Sequence, residues 1–180
     1  MLYSFGFGRI GVLLSDLYFV DPDPADGQGE GPERGVRLEL RVLEREPLKG
    51  SIYSATPISV GQPIWRVDLL ESAEGEPGSF DRVHYHPAFT GWEPGHRTYD
   101  RELSRDPIQW LAAKLSDLPG VLKEAGVSAD VAAPGDAEAL RRAVPEILVT
   151  TEELLGKVRR GQAGNPPAST GSGTIRTGWL

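Results

Sequence analysis

All three histidines of the 180-residue chain lie in one short stretch, residues 82–97, which reads RVHYHPAFTGWEPGHR. If residues 81–86 form a strand, His84 and His86 point to the same side of it, because side chains alternate along a strand. Their α-carbons are then about 7 Å apart, at a rise of about 3.4 Å per residue. Two imidazoles at this spacing can bind one zinc ion, with nitrogen–metal distances of roughly 2.0–2.1 Å.

A third ligand for such an ion lies a few residues further along. The segment FTGWEPG precedes His96 and carries turn residues, which can bring this histidine back to the other two. The acidic residues that could add a carboxylate oxygen are Glu93, Asp100 and Asp68. The sequence therefore predicts a site for a divalent transition metal, zinc or a similar ion, with the ligands His84, His86 and His96.

Two other interpretations of the same residues need no metal. His84 and His86 can be the solvent-facing side of a half-buried strand that also carries Arg82, and a cation there raises the energy of a bound divalent ion. A neutral histidine can instead act as a general base near pH 7. The residues alone leave open whether the protein is an enzyme and whether it has no cofactor or a metal.

The elements that position these residues are strands in the first hundred residues. Residues 3–20 mix aromatic and aliphatic side chains with glycine and predict one strand that bends at its glycines. Residues 36–42 alternate apolar and charged side chains, which is typical of a strand with one face in water. The stretches 51–60, 63–72 and 80–86 predict three more strands.

The hydrophobic period changes to about 3.6 residues near residue 100, which predicts helices. Asp106 and Pro107 are typical of a helix start, and Gly126 of the end of a second helix. Residues 136–159 keep helical phase through Pro145. They form either one kinked helix or two, since Thr150 and Glu153 make a possible capping box.

This order of elements predicts an α+β fold. We expect a curved antiparallel sheet, or a partly closed barrel, of about five or six strands followed by a C-terminal helical layer. One domain is expected over residues 1–160, with strands in 1–100 and helices in 101–160. Residues 161–180, rich in Gly, Ser and Pro, are predicted to be a flexible linker and a tail.

Charge and composition argue against nucleic-acid binding, a membrane span and secretion. The net charge is −7, and the whole acidic excess falls in residues 1–100, which hold 9 Lys/Arg against 16 Asp/Glu. A nucleic acid is not expected to bind, because a phosphate backbone would be repelled. No segment approaches the roughly 20 apolar residues that span a membrane. With no cysteine and no signal-peptide pattern, a cytoplasmic protein is expected.

The last residues, GTIRTGWL, carry large apolar side chains with too few neighbours to form a core. Tryptophan is enriched at interface hot spots, so this segment predicts a docking motif for a protein partner, although a loose terminus is the alternative. The arrangement is similar to the cargo peptides of bacterial protein shells. A homo-oligomer is also possible. The residues predicted to contact the partner are Ile175, Trp179 and Leu180.

Two local resemblances add to these expectations. Gly78, five residues and then His84-Tyr85-His86 resemble the first motif of cupins, which are metal-binding jelly-roll proteins. Cupins place a glutamate ligand four or five positions after the second histidine, whereas Glu93 follows His86 by seven. The cupin resemblance therefore implies metal binding for the two histidines of HYH alone.

The longer stretch HYHPAFTGWEPGHRTYD, followed by DPIQWLAAKLSDLPGVLKEAG, resembles an uncharacterised bacterial family with a domain of unknown function. This resemblance covers roughly residues 36–126 and implies no activity. The leading functional interpretation is a small acidic accessory or interaction protein that docks through its tail. The alternative is a barrel-like protein or enzyme that binds a small molecule or a metal at the histidines.

Overall fold

The computed structural model of the protein describes residues 1–20 and 31–166. The strands are β1 (Leu2–Gly6), β2 (Ile10–Phe19), β3 (Glu33–Arg45), β4 (Ile58–Ser72), β5 (His84–His86), β6 (Phe89–Thr90) and β7 (Glu93–Pro94). The helices are α1 (Arg101–Arg105), α2 (Pro107–Ser116), α3 (Leu118–Glu124) and α4 (Asp136–Arg159), with a short 3-10 helix at Ala129–Val131. Strands therefore precede helices along the chain.

The first five strands form one antiparallel sheet in the order β1-β2-β3-β4-β5, and β6 pairs with β7 in a separate hairpin. The α+β prediction is confirmed. The barrel alternative is wrong, because the sheet is open and has β1 and β5 as its two edges. All of its pairings join strands that follow each other in sequence, so hairpin connections suffice to build it.

One face of the sheet is apolar and forms the core. The alternation in β3 places Val36, Leu38 and Leu40 on this face, where each is at most 1% exposed. Their neighbours across the sheet on β2 and β4 are also buried, including Val12, Leu14, Trp65, Val67 and Leu69. The opposite face of the same strands carries charged residues, so the sheet separates an apolar layer from a polar one.

The helices cover the apolar face. Helix α2 begins as predicted, with Asp106 accepting a hydrogen bond from the backbone of Gln109 and with Pro107 at its first position. Its Trp110 stacks on Trp65 of β4 at 5.8 Å between ring centroids. Helix α3 ends before Gly126, whose φ of +68° suits glycine.

The C-terminal helix settles an alternative that the sequence left open. Residues 136–159 form one helix with Pro145 inside it, so the interpretation as two helices is wrong. Thr150 does not cap a second helix, since its hydroxyl donates to the carbonyl of Glu146 one turn earlier. The stripe of apolar side chains holds helical phase across the proline and packs on the sheet, which stabilises the continuous helix.

Three strand predictions need correction. The single strand expected over residues 3–20 is two strands, because the chain reverses between Gly6 and Ile10. The two strands expected over 51–60 and 63–72 are one strand, β4, which begins at Ile58 and passes Pro63 with a shift in register. The strand expected over 80–86 is only three residues long, since a turn occupies the positions before His84.

Gly35 in β3 allows a close approach of two backbones. A β-carbon at this position would clash with the carbonyl oxygen of Leu69 on the neighbouring strand, and backbone atoms cannot move aside cheaply. Gly35→Ala is therefore expected to lower the free energy of unfolding by about 2 kcal/mol, measured by urea denaturation.

The matched control for this variant is a glycine of the same sheet. A β-carbon at Gly6 in β1 would lie 3.6 Å from a side-chain carbon of Leu43, which is an ordinary contact. Gly6→Ala should change stability by less than about 0.5 kcal/mol. Equal destabilisation by the two alanines would contradict the role of the close approach.

Candidate functional site

The polar face of the sheet brings together a carboxylate and two imidazoles. In the register of β4 with β5, Asp68 lies opposite His84, and Arg66 lies opposite His86. Asp68, His84 and His86 are 1%, 3% and 4% exposed, so the whole group is buried. One ligand atom from each of the three residues falls within 4.8 Å of the others. Within residues 1–20 and 31–166 this is the group suited to hold a metal ion.

Backbone carbonyls fix the protonation of both rings. Nδ1 of His84 lies 2.9 Å from the carbonyl oxygen of Arg82, and Nδ1 of His86 lies 2.7 Å from that of Gly95. A carbonyl oxygen only accepts, so Nδ1 carries the proton that each ring donates. In the neutral imidazole Nε2 then carries no proton. Its lone pair is free to bind a metal ion.

Both Nε2 atoms face the same oxygen of Asp68. The distance from Oδ2 is 3.5 Å for His84 and 3.8 Å for His86. These separations exceed the 2.7–3.2 Å of an ordinary N–H···O hydrogen bond. Burial lowers the pKa of His86 to about 4, with further lowering from the positive charge of Arg66, so this ring is neutral at pH 7. Oδ2 of Asp68 and the two Nε2 atoms therefore converge in one buried space.

Two arginines support the carboxylate of Asp68. Arg37 donates from Nε to Oδ1 at 2.7 Å and from Nη2 to Oδ2 at 3.1 Å, while Nε of Arg66 lies 3.2 Å from Oδ2. Burial alone would raise the pKa of Asp68, but the neighbouring His84 and the charges of both arginines hold it well below its usual range. Asp68 is therefore a carboxylate at any physiological pH.

The pKa values of the two arginines shift in opposite directions in this environment. Burial works against both guanidinium groups, yet the charge of Asp68 raises the pKa of Arg37 above its ordinary value. For Arg66 burial dominates, and the nearby cations Arg37 and Arg97 add to it, so its pKa is lowered. Arg66 also lies 3.9 Å from Glu39, which offsets part of its charge.

The hairpin of β6 and β7 accounts for the burial of this polar face. Gly95, which follows β7, supplies the carbonyl that His86 contacts, and its amide donates to the carbonyl of Ala88. The ring of Phe89 in β6 lies 5.6 Å from the guanidinium of Arg66. A cavity of about 250 Å³ remains beside the cluster. The cavity is lined by Asp68, both histidines, three arginines and a few apolar side chains.

The structure places the other predicted site residues elsewhere. His96 is exposed and is not part of the cluster, and Glu93 is exposed on β7. Asp100 caps helix α1, where it accepts hydrogen bonds from the backbone of Glu102 and Leu103. Of the three possible oxygen ligands, Asp68 is the one that joins the two histidines.

Some of the residues that build the site were missed by sequence reasoning. Arg37 and Arg66 fall on the same face as Asp68 by simple alternation in β3 and β4, a signal that was present in the pattern. That face was expected to lie in water, so the arginines were not associated with a site. The contribution of Gly95 could not be predicted from the sequence, because every residue has a backbone carbonyl.

The predicted tail motif of Ile175, Trp179 and Leu180 lies outside the described residues and stays a prediction. Within the described part, residues 161–166 contact the sheet, as Ala163 is buried and the amide of Gly164 donates to Asp16 at 2.7 Å. No helix in the described ranges is both long and apolar enough to cross a bilayer.

Comparison of the chain with protein-family models, with curated proteins and with solved structures gave no match. The resemblances to cupins and to an uncharacterised bacterial family are therefore not tested and stay predictions. Asp68, His84 and His86 are the described residues whose geometry suits a function.

Proposed function

We propose that the protein binds a divalent transition metal, zinc or a similar ion, through Oδ2 of Asp68 and Nε2 of His84 and His86. The observation that carries this proposal is the convergence of three buried potential ligand atoms on one space. Lone pairs and a carboxylate oxygen repel one another unless a cation or a proton lies between them. A metal ion satisfies all three at once.

The distances support a metal of ordinary coordination geometry. Two ligand atoms that are each about 2.1 Å from a zinc ion, at a tetrahedral angle, are about 3.4 Å apart. The separations of 3.5 and 3.8 Å between Oδ2 and the two nitrogens need only small adjustments to reach this value. The carbonyl partners of Nδ1 orient both rings in the way that outer hydrogen bonds orient metal-binding histidines.

The positive charges of Arg37 and Arg66 repel a metal ion at this position and are the main electrostatic contribution against its binding. Arg37 donates to both oxygens of Asp68, to Oδ1 from Nε and to Oδ2 from Nη2, so it orients the carboxylate, and an ion on Oδ2 would share that oxygen with Nη2. Nε of Arg66 is buried and makes no ordinary hydrogen bond with the described residues, so an ion on Oδ2 would take no hydrogen bond from Arg66. Glu39 balances part of the charge of Arg66.

Zinc binding to the full chain tests the proposal. Protein stripped with a chelator and dialysed against zinc is expected to retain about one ion per chain. His84→Asn and His86→Asn should each weaken zinc affinity by more than about 100-fold, because a ligand is lost. Asparagine keeps an N–H group close to the position of Nδ1, so the backbone carbonyls stay satisfied and the fold is preserved.

The control is His96→Asn, which removes the exposed histidine and should retain zinc like the unmodified protein. Thermal unfolding gives a second readout, since an ion that binds only the folded state raises Tm by an amount that grows with the logarithm of its affinity. Chelator-stripped protein that holds no zinc after dialysis, or loss of zinc in His96→Asn alone, would overturn the proposal.

A further inference from the structure

The cavity beside the cluster is lined by more arginines than carboxylates. Its charged lining consists of Arg37, Arg66 and Arg97 on one hand and Asp68 and Glu33 on the other. The lining therefore has three arginines against two carboxylates, and Glu39 offsets part of the charge of Arg66. A divalent ion at the proposed site adds two positive charges, which favours an anion in the cavity.

Arg97 is the arginine whose charge is left for a ligand. Arg37 is paired with Asp68, and Arg66 lies against Asp68 and Glu39. Arg97 is exposed at the cavity and forms no ion pair within residues 1–20 and 31–166. Its guanidinium lies 5.9 Å from the ring centroid of Phe19, which holds it beside the opening.

The rest of the lining is apolar. Phe19, Leu70 and Pro94 line the cavity together with the charged groups. The volume of about 250 Å³ corresponds to roughly eight water molecules at about 30 Å³ each. The cavity therefore suits a ligand with one anionic end and a short apolar body.

The proposed metal site offers an anionic ligand a second contact besides Arg97. Three protein ligands leave at least one coordination position open, as in zinc sites that bind substrate or water. A carboxylate has two oxygens and can place one on a metal ion and the other against a guanidinium. The cavity joins the cluster and Arg97 in one space, so a single small ligand can reach both.

We propose, resting on the proposed metal binding, that the cavity binds a small organic carboxylate, with the carboxylate between the metal ion and Arg97 and the apolar body against Phe19, Leu70 and Pro94. Inorganic phosphate shares the negative charge but has no apolar body to place on these residues. The apolar wall therefore favours a carboxylic acid over a free phosphate.

Calorimetric titration of zinc-loaded full-length protein with butyrate tests this inference. Butyrate should bind, whereas 1-butanol, which has the same body without the charge, and inorganic phosphate, which has charge without the body, should bind at least about tenfold more weakly. Arg97→Met should weaken butyrate binding by about tenfold or more, because one charge-assisted contact is lost. Arg97→Lys should restore part of it.

The matched control is Arg101→Met, which removes an exposed arginine of α1 that does not line the cavity. It should leave butyrate binding unchanged. Equal binding of butyrate by Arg97→Met and the unmodified protein, both loaded with zinc, would overturn the carboxylate inference. So would butanol or phosphate binding as tightly as butyrate.

Zinc content measured on the same samples separates this inference from the one on which it rests. Zinc-loaded protein that does not bind butyrate contradicts the ligand class and leaves metal binding intact. Protein that takes up no zinc overturns the proposed function, and the carboxylate inference with it. Removal of zinc from the unmodified protein should weaken butyrate binding, and unchanged binding would overturn the assigned position of the carboxylate.

Discussion

Asp68→Asn is expected to lower the free energy of unfolding by about 3 kcal/mol, because it removes the buried negative charge that two partly buried arginines face. The carboxylate is 1% exposed and receives two hydrogen bonds from Arg37. Breaking a buried ion pair by removing one partner costs about 3–5 kcal/mol. The lower end applies here, since the side chain of Arg37 is 27% exposed and water can reach part of it.

Urea denaturation of zinc-free protein measures this effect without any contribution from a metal. Asp130→Asn is the control, because Asp130 is exposed and its side chain supports no buried cation. It should change stability by less than about 0.5 kcal/mol. If Asp68→Asn proved as stable as the control, the arginines would have to be solvated, and the buried charge balance described for the site would be wrong.

Trp65→Ala is expected to cost the most of all the substitutions considered, about 4 kcal/mol. The indole is fully buried at the centre of the apolar face and packs against Trp110 at 5.8 Å and Tyr85 at 6.3 Å. Truncation of a buried tryptophan or phenylalanine to alanine typically costs about 3–5 kcal/mol, since it removes apolar contacts and leaves a cavity. Thermal and urea unfolding should both show the loss.

The comparison with an exposed tryptophan makes the test specific. Trp92 on the hairpin is 57% exposed and contacts only the guanidinium of Arg41 among the described aromatic and cationic partners, so Trp92→Ala should cost less than about 1 kcal/mol. Trp65→Phe should fall between the two, because it keeps an aromatic ring and removes an indole N–H that has no hydrogen-bond partner among the described residues. A smaller loss for Trp65→Ala than for Trp92→Ala would contradict the assigned core.

The sheet could be predicted from the sequence where one face is apolar. Alternation in β3 predicted that Val36, Leu38, Leu40 and Val42 face the core. The structure buries the first three and packs the partly buried Val42 against them. The position of chain reversals was harder to predict, since the glycines between β1 and β2 suit a bend within a strand as well as a turn between two. Helix α2 was predicted correctly because Asp106 and Pro107 give a local signal that needs no tertiary contact.

The candidate site could be predicted only in part. The spacing of His84 and His86 indicated a pair of ligands on one face, which the geometry of β5 agrees with. Asp68 was one of three equivalent carboxylates in the sequence, and only the pairing of β4 with β5 distinguishes it. The burial of the polar face depends on where the hairpin folds, a tertiary property that no local pattern encodes.

The contact between His86 and Gly95 ties the hairpin to the cluster. An ion held by Oδ2 of Asp68 and the two imidazoles would connect β4 and β5 directly. It would also connect the hairpin, through the contact of His86 with Gly95. Outward movement of the hairpin would break the contact of His86 with Gly95, which orients the ring that would hold the ion. Ion release and hairpin movement are therefore expected to be coupled through this one hydrogen bond.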